Sequence, residues 1–196
     1  MAEIIERHLP VHCYSTKARP ISGVVIHYFS AVNVDRDRWA DPDRCWELFH
    51  DLNLPADERR YGPWPGLGDA RAWASADYLI ARDGVVYELV PRGLKSWHAG
   101  KSIHAGREYC NNWTVGYEIV AAPQVDPEAF GYTDAQYEAA ADLARRDMQE
   151  GGFGPDMIVG HDEIRANWNA AHPDDPGAVK HDPGPTWDWE RFRALL

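Results

Sequence analysis

The 196-residue chain contains no apolar run close to the roughly 20 residues that cross a bilayer, which excludes a transmembrane helix. Its opening "MAEIIERHLP" lacks the basic segment and apolar core of a secretory signal, so the protein is expected to be cytoplasmic on synthesis. Basic charge is also short: 20 Lys and Arg stand against 31 Asp and Glu, for a net charge of −11. A nucleic-acid surface needs clustered cations to displace counterions, and an anionic membrane attracts polybasic segments, so neither partner is expected. Cysteine is scarce. Cys13, Cys45 and Cys110 are odd in number and widely spread, which excludes a disulfide framework and a CxxC zinc ribbon. They read as buried or free thiols, with at most one bridge and Cys110 closest to a candidate site. There is no internal repeat, no low-complexity linker and no contiguous metalloprotease signature such as HExxH.

What is present is an ordinary globular composition, 44% hydrophobic and 26% charged, in a chain long enough for one domain with a substantial core. The excess lies in nine Trp, nine Tyr and nine His. Most aromatic rings of this number belong in a core, although their faces are also what sugar rings stack upon.

"SGVVIHYFS" (22–30) carries a β-branched run bounded by small residues, the signature of a buried strand. "DPDRCWELFHDLN" places Trp46, Phe49 and His50 at helical spacing. The Pro- and Gly-rich stretch that follows, through residue 73, predicts a long surface loop in which Tyr61, Trp64 and Trp73 wall a groove. "DYLIARDGVVYELVP" (77–91) predicts two strands joined at Asp83-Gly84, and "TVGYEIVAA" (114–122) a further strand. Thr133 with Gln136 forms a capping box ahead of a helix whose apolar face is Tyr137, Ala140, Ala141 and Ala144. "DMIVGHDEI" predicts a short strand ending at Gly160-His161, and a last helix is expected from near Thr186 through "WDWERFRALL". The alternation implies an α/β domain, one central mixed sheet flanked by helices.

Three places carry candidate chemistry: His27 inside a strand, His161 at a strand end, and the cluster Lys180-His181-Asp182 ahead of a sharp Pro-Gly turn. A lone strand histidine is more often structural than a ligand. Two of them with a carboxylate on a rigid turn match the three protein ligands of a hydrolytic zinc site, which keeps a fourth position open. Composition and spacing leave the two readings equally open.

Six short segments in order, "VVIHYFS", "WHAGKS", "CNNWTVGYEI", "YTDAQYEAAADL", "VGHDEI" and "KHDPGPTWDWERF", resemble the zinc-dependent N-acetylmuramoyl-L-alanine amidases of the type-2 family, over about residues 22–192. That family includes phage endolysins, autolysins, the muropeptide-recycling amidase and the peptidoglycan recognition proteins. The resemblance implies its fold, a catalytic domain over 22–196 after an N-terminal extension (1–21), and one zinc ion per chain held by His27, His161 and Asp182. It further implies Glu118 and Lys180 as catalytic residues, and Trp97, His98 and Asn111 on the substrate. The implied reaction cleaves the amide between N-acetylmuramic acid and L-alanine of peptidoglycan or a muropeptide, by a protein expected to be a monomer. An endolysin or autolysin acting on the cell wall is the first expectation; a cytoplasmic anhydro-muropeptide recycling amidase and a non-catalytic binding module are the alternatives.

Departures from the family pattern concern the surroundings. Asp77 stands in "SADYLI" where many relatives carry His, and Ala76 where some carry a catalytic Tyr, so a Glu118 mechanism is expected. The 33–73 segment and residues 166–179 are longer than usual. The second brings a competing Asp-Pro-Gly turn at Asp175, expected to be too flexible to hold a ligand. His181 is expected to turn outward.

Overall fold

"VVIHYF" and "VGYEIV" are mostly apolar, β-branched or aromatic, with such residues on both alternating sets of positions, which suits strands covered on both sides. In the computed structural model, which describes residues 2–62 and 70–196, these two segments lie side by side inside a six-stranded sheet. The strands are β1 (Ile4–Glu6), β2 (Ser15–Ala18), β3 (Val24–Phe29), β4 (Tyr78–Ile80), β5 (Val86–Glu88), β6 (Leu94–Lys95), β7 (Ile103–His104), β8 (Arg107–Glu108), β9 (Val115–Val120) and β10 (Ile158–Gly160). The helices are α1 (Pro42–Leu52), α2 (Pro127–Phe130), α3 (Asp134–Gly151), α4 (His161–Ala171) and α5 (Trp189–Ala194).

The sheet runs β1-β5-β4-β9-β3-β10, parallel at every pair except β4–β5, the antiparallel hairpin at Asp83-Gly84. The α/β architecture expected from the pattern is therefore observed. Residues 2–21, expected to precede the domain, supply β1 at the sheet edge and β2, which pairs with β6.

Period-2 alternation gives the sheet two unlike faces. On the back, Val24, Ile26, Val115, Tyr117 and Ile119 pack against Tyr137, Ala140, Ala141 and Ala144 of α3 and Phe192 of α5. The small alanines let α3 lie close. Its capping box is complete, and the same Gln136 amide donates to the Ile80 and Val120 carbonyls at 3.2 and 2.9 Å, fixing the helix start to the sheet. The last helix begins later than expected. Asp188, not a residue near Thr186, is the cap, accepting from the Arg191 N–H at 2.9 Å, because Trp187 is buried against Tyr132 and Tyr137.

The front face carries two separate apolar clusters. Leu79 and Val120 pack with Cys45 and Phe49 of α1, and Val25 and Val159 pack with Trp113 and Ile164 of α4. All three cysteines are buried and unpaired, Cys110 within the second cluster. The 33–73 segment holds α1, after which Asn53 donates to the Phe49 and Ala74 carbonyls at 2.8 and 2.6 Å. Tyr61 donates to Glu47 at 2.9 Å and so belongs to α1's outer side, while Trp73 meets Trp97 edge-on at 4.8 Å. Trp64, also expected on the groove wall, lies outside the described residues. Among the described residues, no helix is long and apolar enough to cross a membrane.

Candidate metal centre

The gap between the two front clusters is where the polar side chains gather. β3 and β9 are in parallel register with His27 opposite Glu118, so both side chains leave the same face as neighbours. β10 ends at Gly160, and His161 is the first residue of α4, so it opens a helix where a strand end was expected. Asp182 arrives from the turn at 181–184. Its carbonyl accepts from the Asp162 N–H at 2.9 Å, and the Tyr132 hydroxyl donates to the Pro183 carbonyl at 2.7 Å. A side chain at Gly160 would put its Cβ 2.8 Å from the Pro183 ring, so glycine is what lets the turn approach β10.

These placements bring His27 Nδ1, His161 Nδ1 and Asp182 Oδ2 within 2.9–3.0 Å of one another. Behind them, His27 Nε2 lies 3.0 Å from His98 Nδ1, and His98 Nε2 lies 3.2 Å from the Thr114 hydroxyl. His98 fits against the sheet because position 116 is glycine: a Cβ there would stand 2.5 Å from the imidazole. Asn111 holds this histidine's backbone, its Oδ1 accepting from the N–H groups of His98 and Ala99 at 3.0 and 2.7 Å.

Burial opposes ionisation of Asp182, but its hydrogen bonds with the two imidazoles outweigh this and hold the carboxyl well below the usual carboxylate range. Burial also disfavours a charged His27, and Glu118 and Asp182 reverse the balance and raise its pKa. His161 is pushed down to about 4 by burial and by His27. His98 is driven well below the ordinary histidine value, chiefly by burial, and is neutral. Glu118 is raised to about 7 because it is buried.

The donor set fits a divalent transition metal. Two imidazole nitrogens and a carboxylate oxygen converge with more acceptor capacity than protons can satisfy, and Glu118 Oε2 and His161 Nε2 are buried without a partner. The three converging residues border a cleft of about 220 Å³ together with Glu118, Lys180, Trp97 and His98. His181 is exposed. Asn111 does not line the cleft.

The competing turn lies outside the cluster, but not for the reason expected. Residues 166–179 are not loose: α4 runs to Ala171, and the rest folds back on it. Trp168 Nε1 donates to the Asp175 carbonyl at 3.0 Å, Asn169 and Gly177 exchange two hydrogen bonds, and Arg165 donates to the carbonyls of Lys101 and Ala178. The Asp175 carboxylate faces outward and meets Lys101 at 2.5 Å. Asp77 also serves structure. It accepts from buried Arg19, from Ser96 at 2.6 Å and from the Gly116 N–H at 2.8 Å, tying β4 to β9. Tyr28 and Phe29 line the cleft and were not anticipated. Phe29 shares the face of His27 by alternation and was legible in principle; Tyr28 gave no such signal.

Residues 17–185 match the family described as N-acetylmuramoyl-L-alanine amidase. The chain is 35% identical over 164 residues to the 1,6-anhydro-N-acetylmuramyl-L-alanine amidase AmpD of Enterobacter cloacae, a span of 76% of this chain and 79% of that protein. The crystal structure of a selenomethionine derivative of AmpD matches with a TM-score of 0.70 at 30% identity, over 100% of this chain and 96% of that one. A mutant endolysin from Bacillus subtilis is similar in fold alone, with a TM-score of 0.52 at 16% identity over 100% and 99% of the two chains. The chain belongs to the N-acetylmuramoyl-L-alanine amidase family.

Proposed function

We propose that this protein is a zinc hydrolase that cleaves the amide between the lactyl group of N-acetylmuramic acid and L-alanine, acting on soluble 1,6-anhydro-muramyl peptides. The observation that carries the reading is the convergence of His27, His161 and Asp182 beside a buried, unpartnered Glu118 at the floor of an open cleft. The endolysin role expected first from the sequence is the less well supported one. The relative at 35% identity is named for the anhydro-muramyl substrate, whereas the endolysin likeness, at 16%, is one of fold.

In this reading His27, His161 and Asp182 hold the zinc ion, which when bound supplies Lewis acidity to water and to the scissile carbonyl. The chain's own groups do the rest. Glu118, raised to about 7, takes the proton of the attacking water and returns it to the leaving amine. Lys180, bordering the same cleft, offers its ammonium to the carbonyl oxygen as that atom gains charge. His98 keeps the His27 ring in one orientation through Nε2, as partners behind ligand histidines do. A binding module that only grips muropeptide has no use for Glu118 in this position.

The test is to compare turnover of an anhydro-muramyl tripeptide with release from intact sacculi, together with metal analysis of the purified protein. One zinc per chain and much faster turnover of the soluble substrate are expected. Efficient lysis of sacculi with little turnover of the soluble compound would restore the endolysin reading.

A further inference from the structure

His161 opens α4, and one turn further on the same face stands Arg165, a cation only 7% exposed. Among the described residues no carboxylate pairs with it. Its guanidinium donates to three backbone carbonyls instead: Nε to Lys101 at 2.7 Å, Nη1 to Ala178 at 2.8 Å and Nη2 to Ala99 at 3.3 Å. This planar fork lies between two glycines. A Cβ at Gly177 would collide with Nη1, and one at Gly100 would stand 3.3 Å from Nη2. The glycine of the second Asp-Pro-Gly turn therefore admits the guanidinium, a use for that turn that is independent of metal.

The three carbonyls belong to two segments at the cleft. Ala99 and Lys101 flank Gly100 in the loop that follows His98, and Ala178 lies two residues before Lys180. Lys180 borders the cleft, yet among the described residues no hydrogen bond or ion pair holds its ammonium. Where that ammonium reaches is thus set by its backbone. Between residue 178 and the Asp182 turn, the hydrogen bond that fixes the described backbone is the one from Arg165. The hairpin β7–β8 backs the same insertion from outside, with Tyr109 against Trp168 at 5.2 Å and His172 Nε2 2.9 Å from Glu108 Oε1. We propose that Arg165 is a positioning residue for Lys180: its guanidinium and the folded insertion 166–179 clamp the lysine's backbone to the helix that carries His161, and so fix where the ammonium meets the cleft. The proposal rests on the amidase reading above and on the place given there to Lys180.

The test is a double-substitution cycle on the zinc-loaded enzyme with an anhydro-muramyl tripeptide. Absence of wild-type turnover would end the functional reading and the clamp with it. Lys180→Ala is measured next. A wild-type kcat there would remove the lysine from the reaction, and the clamp with it, while the roles of the metal donors and Glu118 stand. Given the expected loss, Arg165→Gln should lower kcat by roughly 10- to 100-fold, the scale of a displacement of about 1 Å, with KM little changed and zinc content kept. In the Lys180→Ala background the same substitution should cost no further kcat, because a residue that acts through the lysine has nothing left to place. No loss in the first background, or equal losses in both, would overturn the proposal, and loss of zinc would assign Arg165 to the metal donors instead. Arg165→Lys keeps the charge without the planar fork and should lose kcat as Arg165→Gln does. A wild-type kcat in that variant would show that charge alone suffices and that there is no clamp. Gly177→Ala keeps the arginine and crowds it from the far side, so it should repeat the pattern at smaller size, and it carries the cycle if Arg165→Gln does not fold. A Gly177→Ala loss that persists without Lys180 would overturn the clamp in the same way.

Discussion

Behind β3 and β9, Ile26, Tyr117 and Ile119 press on α3, and the Tyr117 hydroxyl that intrudes there donates to Asp147 at 2.6 Å, although the Trp187 indole N–H on the same side has no partner among the described residues. In front, one residue further along the same strands, His27 and Glu118 stand in a gap between two apolar clusters, and Glu118 keeps an oxygen without a partner. Alternation lets one strand pair serve both ends. The back face supplies cohesion through close packing, and the front face leaves polar capacity open for a ligand. The rigidity of the first is what makes the second affordable, because unpaired buried groups persist only where the surroundings over-determine their positions.

The comparison breaks most sharply at the converging donors. His27→Ala, His161→Ala or Asp182→Ala should each abolish zinc binding and reduce amide hydrolysis to background, with the far-ultraviolet dichroism of the fold retained. On the other face, Ile119→Ala, at a position with no exposure, should cost about 2–5 kcal/mol of unfolding free energy and keep a full complement of metal. Loss of metal in the Ile119 variant, or full metal in any of the other three, would erase the division between faces.

Glu118 sharpens it. Glu118→Gln keeps the shape, so zinc should remain while kcat falls by roughly 10² to 10⁴, the loss that follows removal of a general base. The same residue predicts a pH effect on the metal-free protein. A carboxyl raised to about 7 by burial is favoured in its protonated form by folding, so its contribution is full at low pH. That contribution is lost as pH climbs from the ordinary glutamate value through about 7. Denaturation of metal-free protein should therefore show wild type losing up to about 3 kcal/mol more than Glu118→Gln between pH 4.5 and 8. Parallel pH curves for the two proteins would mean that the carboxyl is solvated. Lys180→Ala comes next in size: metal retained, KM little changed and kcat down by roughly 10² to 10³, as for one lost donor to a developing oxyanion.

Much of this centre was legible because its residues sit in strongly patterned segments. His27 and Glu118 each interrupt an apolar strand, and Asp182 sits on a turn marked by Pro183 and Gly184. What pairs them was not legible. The register that sets His27 beside Glu118 joins strands between which the chain forms α1 and β4 to β8, and local spacing carries no record of a parallel pairing. The helix start at His161 did leave a sign, the acidic pair Asp162-Glu163 in the first turn, which outweighs continuation of the strand. The supporting place of His98 depends on Gly116, remote from it in sequence but directly against its ring in space, and on no motif of its own.

The smallest predicted effect concerns the two Asp-Pro-Gly turns, which look alike in sequence and differ in what their carboxylates meet. Asp182, its side chain 16% exposed, sits against two imidazoles. Asp175 has a side chain 69% exposed and, among the described residues, pairs only with Lys101, itself 40% exposed. A surface pair of this kind contributes about 0–1 kcal/mol. What secures the second turn is the Asp175 carbonyl on Trp168 and the Asn169–Gly177 exchange, and truncating the carboxylate touches neither. Asp175→Ala should therefore keep its zinc and its kcat/KM, and should shift the unfolding free energy by about 0.5 kcal/mol or less, since surface substitutions away from special features rarely do more. A larger destabilisation would show that the outer ion pair, and not the backbone contacts, holds residues 172–179 on α4. Loss of metal would be the more serious result, because it would make the wrong aspartate the ligand.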